Sequence, residues 1–369
     1  MRTLDVMRNI DRSRFEFDFA TLSGQPGSLD DEARTLGASI HPIALGLGFV
    51  PAFRRLLREG RFDVVHSHVH FTSGLILRLA LAEGVPSRIA HFRSTSDGND
   101  RGLRRRLQRA LMKHWIDAAA TAILGVNEGT LQEAWSERWQ QDPRCRVLYN
   151  GLDLRLFRKA LGDVEGAPAR AAELRSTLGA SGLSPVVIHV GSLESRWKNH
   201  PRLLLIFAAL RQRLPEAKLW LVGRDGRAAG QAVRAQIKAL GLGDSVSLLG
   251  ERTDVPRLLA TADLMLFPSL WEGLPGAVLE ACAGGTPVLA SDPPGVREIA
   301  RHVPALQMLS LEDPDARWAA AAADLLAPAQ GRVQARRAAA RAFEATPFVV
   351  ERAVDAFAAI YEEAARGRL

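Results

Sequence analysis

The feature that most constrains this chain is a pattern met twice: short apolar runs of β character alternate with longer stretches of helical spacing. In the first half Phe15–Leu22, Ser39–Ile43, Val64–His68, Arg88–His91 and Ala122–Val126 read as strands, with Val50–Glu59, Ser73–Gly84 and Leu103–Ala118 as helices. In the second half strands at Pro185–Val190, Lys218–Val222, Val246–Leu249, Leu264–Phe267 and Pro287–Ala290 alternate with helices at Pro201–Arg213, Ala228–Leu240 and Val255–Thr261, and from Gly276. Such alternation predicts a parallel sheet covered on both faces. Two rounds of it in 369 residues predict two α/β domains of the doubly wound kind. The Gly/Ala/Pro-rich stretch Leu161–Arg170 is the expected link between them. Ligands of open α/β sheets bind beyond the carboxyl ends of the strands, so the loops after Val190, Val222, Leu249 and Phe267 should line one crevice.

Composition excludes several other classes. With 47% hydrophobic and 24% charged residues the chain is neither disordered nor collagen-like. No apolar run approaches the roughly 18–20 residues of a membrane span, and the N-terminus carries no signal-peptide core. Cys145 and Cys282 lie far apart with no partnering motif, as expected of thiols in a reducing cytoplasm. The net charge of +7 divides into +4 over residues 1–150 and +3 over the remainder. That spread is too even for a nucleic-acid-binding domain, which concentrates its charge. One segment stands apart. Within residues 101–115, Leu103, Leu107, Leu111 and Trp115 fall at helical spacing, flanked by Arg104, Arg105, Arg106, Arg109 and Lys113. Either this stripe packs on the core and the basic side is solvated, or the helix rests on an anionic membrane surface.

The strongest chemical signal is the segment from Pro268 to Pro287, where a strand ends in a Gly/Pro-rich loop that leads into a helix. Such a loop leaves backbone N–H groups open at a helix N-terminus, which suits a phosphate or a sugar hydroxyl. Glu280 falls one turn into the helix and can reach the same crevice as Glu272; a carboxylate that accepts two hydroxyl hydrogen bonds suits a ribose diol.

Glu272-Gly-Leu-Pro with Glu280 resembles the E-x7-E motif of the retaining glycosyltransferases of family 4, which have the GT-B fold. Further segments agree in order and spacing: His189-Val-Gly-Ser-Leu followed by Lys198-Asn, Leu221-Val-Gly-Arg, Leu249-Gly-Glu-Arg-Thr-Asp254, Asn150-Gly-Leu-Asp153, and Ser291-Asp292 with Glu298-Ile. The likeness runs over nearly the whole chain and is strongest to the branch that builds exopolysaccharide and capsule. It implies two Rossmann-like domains around a cleft: an acceptor-side domain at 1–157, a nucleotide-sugar domain at 158–346, and a helix at 347–369 returning to the first. It implies that Lys198 stabilises the leaving diphosphate, that Glu272 contacts sugar hydroxyls, and that Glu280 holds the ribose. The donor site would further comprise Gly191, Ser192, Arg196, Gly223, Gly250, Glu251, Gly273, Leu274, Pro275 and Gly276. Ser192 departs from the family, which usually has arginine there; Arg196 is the candidate substitute.

The second signal is His66-Ser-His68-Val-His70, three histidines at alternating positions that could share one face of a strand end. An H-x-H pair can supply two zinc ligands, but no third ligand at credible spacing accompanies it. The resemblance implies instead an acceptor-side role, with His68 nearest the chemistry, His66 supporting it, and Ser73-Gly74 completing the family pattern. His70, Arg93, Ser94 and Thr95 are expected on the same side. Asp313-Pro-Asp315 reads as a helix cap.

The first residues, Met1–Asp11, resemble the end of the family's first helix. They imply roughly 20–30 preceding residues of strand and Gly-rich loop, and an interrupted sheet without them. The expected function is retaining transfer from a nucleoside diphosphate sugar, of the UDP type, to a saccharide or lipid-linked acceptor in surface polysaccharide synthesis. Neither a metal nor another cofactor is expected, and the protein is expected in the cytoplasm, at the inner face of the membrane. The rival expectations are a nucleotide-sugar epimerase, a silent nucleotide-sugar-binding scaffold and a zinc hydrolase on His66 and His68.

Overall fold

The structure, a computed structural model, describes residues 2–94, 102–161, 167–181, 184–327 and 331–367. The chain forms two compact units, Met1–Asp153 with Pro347–Leu369, and Leu154–Thr346. Part of the expected link, residues 162–166, lies outside the described residues.

Unit one begins α1 (Arg2–Asn9), β1 (Asp18–Thr21), α2 (Asp30–Thr35), β2 (Ser39–Pro42) and α3 (Phe49–Gly60). It continues β3 (Val64–Ser67), α4 (Ser73–Ala82), β4 (Ser87–Phe92), α5 (Leu103–Ala119), β5 (Ala122–Gly125), α6 (Glu128–Thr130) and β6 (Cys145–Val147). All strand pairs are parallel, in two separate sheets, β1-β2 and β3-β4-β5-β6. Strand β1 is shorter than its apolar run; just before it the Phe17 carbonyl accepts the Ser39 N–H (3.3 Å), and the Phe15 and Phe17 rings pack on Tyr361. Leu4 and Met7 of α1 are buried in a small core with Ala33 and Ala38, which anchors this eight-residue helix by tertiary packing.

The core-facing expectation for the leucine stripe of α5 is wrong. Leu103, Leu107 and Leu111 are 72%, 63% and 45% exposed, whereas Ile116 and Ala119 are buried. The packing line of α5 runs elsewhere. Gly74 of α4 lies so close to α5 that a Cβ there would stand 2.2 Å from the Met112 carbonyl oxygen, and Arg78 lies over the Trp115 ring. The leucines therefore face solvent among arginines.

Unit two runs α7 (Arg155–Leu161), α8 (Ala167–Thr177), β7 (Val186–Val190), α9 (His200–Arg213), β8 (Lys218–Val222), α10 (Arg227–Ala239) and β9 (Val246–Gly250). It continues α11 (Val255–Thr261), β10 (Leu264–Phe267), α12 (Gly276–Ala283), β11 (Val288–Ala290), α13 (Pro294–Ala300), β12 (Leu306–Met308), α14 (Asp315–Leu326) and α15 (Arg332–Phe343). Its six strands form one parallel sheet in the order β12-β11-β10-β7-β8-β9. The central strand β10 is apolar and buried at every position, and its neighbour β7 departs only at the buried His189 and the half-buried Val190, as a sheet covered by helices on both faces requires. The cap expected at Asp313-Pro-Asp315 is not formed. Pro314 occupies the cap position, while Asp313 pairs with Arg317 and Asp315 with Arg202.

The last helix, α16 (Val350–Ala365), belongs to unit one, where Val350, Val354, Phe357 and Ile360 share a core with Ile89 and Leu124. Backbone hydrogen bonds between Leu152 and the Phe348–Val350 segment fix its entry. Among the described residues no helix is long and apolar enough to cross a membrane. Both cysteines are free, and burial pushes their thiols up to about 12.

Candidate functional site

Strand order in unit two reverses at β7. The chain moves through β8 and β9 on one side and returns as β10 on the other, a topological switch point. The loops after β7 and β10 therefore leave the sheet side by side, although they are some seventy residues apart in sequence. The first carries Lys198 in a tight turn at Arg196–Lys198, followed by Asn199 in the left-handed region. The second carries Glu272. The two loops are tied together: Leu270 N–H donates to the Trp197 carbonyl (2.8 Å) and the Asn199 side-chain amide to that of Pro268 (3.1 Å). Lys198 Nζ donates to Glu272 Oε1 at 2.7 Å, the side chains being only 18% and 13% exposed. The ammonium also lies 4.8 Å from the centre of the Phe267 ring. In this state each charge answers the other, and a half-buried pair of this kind gains little net stability.

Around this pair the expected donor residues cluster. Gly191 N–H donates to Val222, Leu193 N–H to Arg224 and Gly223 N–H to Gly250, lacing the turns after β7, β8 and β9. Gly223, at φ +152°, approaches the neighbouring turn so closely that a Cβ would stand 2.1 Å from the Gly191 carbonyl oxygen; only glycine fits. Ser192 accepts the Glu194 N–H (3.3 Å), a local turn bond that orders the loop without adding charge. Arg196 is exposed, its guanidinium 4.3 Å from the Trp197 ring centre. Glu251, just past Gly250, is also exposed. Gly273, Leu274 and Pro275 form the loop into α12, whose first residue is Gly276 and whose N-terminus no side chain caps. That leaves first-turn N–H groups to an anion or a hydroxyl. Glu280 stands one turn further, half-buried. Beneath the loops His189 Nδ1–H donates to the Leu266 carbonyl (2.9 Å), and His200 meets the ring edge-on. Burial holds His189 well below its ordinary range and pushes His200 down to about 4, so neither adds charge near Lys198 at neutral pH.

Unit one holds a second cluster. His66 Nδ1 lies 2.8 Å from the Tyr361 hydroxyl, His66 Nε2 lies 3.1 Å from His91 Nδ1, and the His68 ring lies on that of His66 at 4.2 Å. Burial holds His66 and His91 well below the usual imidazole range. Burial first, then Arg93, pushes His68 down to about 3. All three are neutral at pH 7. His70 does not share their face. It opens a 3₁₀ turn at φ +51°, packs edge-on against Phe71 and Phe92, and reaches the Ser94 carbonyl (3.2 Å). Arg93 is held by Asn150 (2.8 Å) and Thr3 (3.4 Å), Ser94 is exposed, and Thr95 lies outside the described residues. Ser73 and Gly74 are structural: Ser67 donates to the buried Ser73 hydroxyl, and Gly74 serves the α4–α5 approach.

Sequence spacing missed His91 and Tyr361. His91 had a usable signal, since in the parallel pairing of β3 and β4 His66 aligns with Ile89, which puts residues 68 and 91 at equivalent positions. Tyr361 had none, because it lies 295 residues from its partner. The finding of a third imidazole also corrects the expectation that His66 and His68 have no companion donor: nitrogens of all three lie within 4.8 Å of one another.

Comparison with known proteins agrees with this layout. Residues 1–151 match the family described as glycosyl transferase 4-like domain, and residues 184–328 match glycosyl transferases group 1. EpsF of Bacillus subtilis strain 168, named as a glycosyltransferase, is 31% identical over 328 residues, covering 86% of this chain and 81% of that protein. The capsular polysaccharide biosynthesis glycosyltransferase CapH of Staphylococcus aureus is 29% identical over 284 residues, 76% of this chain and 74% of its own. The crystal structure of Anabaena Alr3699/HepE in complex with UDP and glucose superposes with a TM-score of 0.77 at 18% identity, covering 98% of this chain and 95% of that one. The chain belongs to the group 1, family-4-like glycosyltransferases and has the GT-B fold.

Proposed function

We propose that this enzyme transfers a sugar, with retention, from a UDP-sugar to a saccharide or lipid-linked saccharide in surface polysaccharide synthesis. The observation that carries the reading is the Lys198–Glu272 pair at the switch point, beside the uncapped start of α12. A nucleoside diphosphate sugar divides such a pair: Lys198 turns to the diphosphate and Glu272 to the sugar hydroxyls. Glu280 takes the ribose. As the bond from the anomeric carbon to the diphosphate breaks, charge grows on the phosphate, where Lys198 and first-turn N–H groups stabilise it without a metal ion or other cofactor. The acceptor hydroxyl attacks from the same face, which retains configuration and lets its proton pass to the departing phosphate oxygen. His68, neutral and beside Arg93, faces the acceptor and transferred sugar. Kinship with CapH and with a UDP- and glucose-binding structure supports this class of donor and product.

The exposed leucines and arginines of α5 support residence at the inner face of the cell membrane, where a lipid-linked acceptor is met. Arg101, at the start of that basic segment, lies outside the described residues. The test of the reaction is a screen of nucleotide sugars against saccharide and lipid-linked acceptors, with the anomeric configuration of the product read by NMR. Retention with an acceptor requirement is expected. Inverted product, donor conversion without acceptor, or binding without turnover would each overturn it.

A further inference from the structure

We infer that Tyr361, on the returning helix α16, is a positioning residue that fixes the proton order of the unit-one imidazoles and so the ring on which His68 lies. Both nitrogens of His66 are engaged, one by the Tyr361 hydroxyl and one by His91 Nδ1. The His66 and His91 planes differ by only 17°, and their facing nitrogens, 3.1 Å apart, share one proton in a hydrogen bond. A metal ion held by both facing nitrogens would need their lone pairs converging on a third point, whereas here those nitrogens are directed at each other in a hydrogen bond. The three-imidazole cluster is therefore a proton-ordered chain rather than a chelate.

Two orders are conceivable. If Tyr361 donates to His66 Nδ1, then His66 Nε2–H donates to His91 Nδ1, and His91 is left with a buried Nε2–H. If His91 Nδ1–H donates to His66 Nε2, then His66 Nδ1–H donates to the phenol oxygen, and His91 Nε2 is left as a lone pair. That Nε2 is buried and has no hydrogen-bond partner. The second order leaves the phenol O–H as its spare donor, but that proton can rotate on a residue that is only half-buried, whereas the His91 N–H of the first order would be fixed in a ring 1% exposed. The fully buried orphan donor is the costlier fault, so the second order holds. His66 carries its proton on Nδ1, and the phenol accepts it.

The consequence for His68 is positional. Its ring is stacked on His66 at 4.2 Å, inclined by 29°, and its own Nδ1 is buried without a partner. The tilt of His66, set by Tyr361 on one edge and His91 on the other, decides where the free edge of His68 points. This role rests on the proposed transfer reaction, in which His68 faces the sugar; the proton order does not. Tyr361 packs among Phe15, Phe17 and Phe357, so Tyr361→Phe keeps the ring contacts and removes only the oxygen.

The test is imidazole ¹⁵N NMR of the wild-type protein and of Tyr361→Phe, with kinetics on both. His66 in the wild type is expected as the Nδ1–H tautomer; the Nε2–H tautomer would overturn the order even if the variant failed to fold. In Tyr361→Phe the His66 tautomer is expected to shift, and kcat to fall five- to tenfold with donor KM unchanged. A retained tautomer would remove Tyr361 from the chain. A shifted tautomer with unchanged kcat would break the link to His68. The spectra need no substrate, so failure of the transferase reading would be told apart by a wild-type protein that shows the expected tautomer but no transfer with any donor.

Discussion

The two clusters solve opposite electrostatic problems. In unit two a lysine and a glutamate from loops on either side of the switch point stand as an ion pair with a small part of each side chain open to solvent. In unit one three imidazoles and a phenol are packed so deeply that all stay neutral. A charged pair can be pulled apart and its members redirected to a charged ligand; a neutral hydrogen-bonded chain can only hold shape. Under the proposed function the contrast corresponds to charge stabilisation in unit two and orientation in unit one. It breaks first at Lys198. Lys198→Met is expected to lower kcat by about 10²–10³-fold, the scale of removing one donor aimed at developing charge, while UDP affinity measured by calorimetry falls far less. Undiminished turnover would transfer the role to Arg196.

Acid should separate the units next. The folded imidazoles titrate below their unfolded value of 6.5, His68 near 3 and His200 near 4. As pH falls below 6.5 the unfolded chain takes up protons that the folded chain refuses. Stability is therefore fully present above that pH and declines through the window down to about 3. Each such imidazole costs about 1 kcal/mol between pH 6.5 and 5.5. Among the described residues unit one holds His66, His68 and His91 of this kind, and unit two holds His189 and His200. Hydrogen exchange at pH 5.5 is expected to show unit one opening before unit two. The reverse order, or pH-independent exchange free energies, would contradict the buried neutral cluster.

What was legible in the sequence follows the same divide. The donor cluster could be read because its parts lie in two short segments whose turns require glycine and whose strands are uninterrupted apolar runs; Gly223 and the 268–276 loop announce themselves. The meeting of Lys198 with Glu272 depends on β7 lying beside β10; the alternation predicts that both loops leave the same end of one parallel sheet, and the strand order makes them neighbours. The imidazole cluster could be read only in half. His66 and His68 are visible as a spacing, but the partners that hold them come from β4 and from α16, and no local pattern encodes a contact 295 residues away. The α5 stripe misled for a related reason. Periodicity says that leucines share a face, not which neighbour covers it, and here Met112 and Ile116 took the packing line.

That exposed stripe gives the third test. Replacing Arg104, Arg105 and Arg106 by Gln removes three cations, each worth about 1 kcal/mol near an anionic surface. Binding to phosphatidylglycerol vesicles at low salt should weaken about a hundredfold, with melting temperature unchanged because none of the three is buried. Vesicle binding that is absent, or indifferent to the change, would leave the leucines without a membrane role.

The smallest effects are the sharpest, because they differ in sign between two glutamates of one segment. Glu280→Ala is expected to weaken UDP binding about tenfold, since a carboxylate accepting two ribose hydroxyls contributes on the order of 1–1.5 kcal/mol. Glu280→Gln, which keeps one acceptor oxygen and the helix packing, should lie between. Glu272→Gln should do the opposite. On the proposed reading Glu272 faces the sugar, which UDP lacks, so no ligand contact would be lost; Lys198, no longer bound to a carboxylate at 2.7 Å, would be released to the diphosphate. The pair is half-buried and screened, so the gain is modest, about threefold tighter UDP binding, accompanied by a fall in turnover because the sugar hydroxyls lose their partner. Calorimetry with UDP on the three variants reads both signs. Weaker binding in Glu272→Gln would mean that Lys198 needs Glu272 to hold it in place, and the pair would then be a fixed strut rather than a charge that the donor divides.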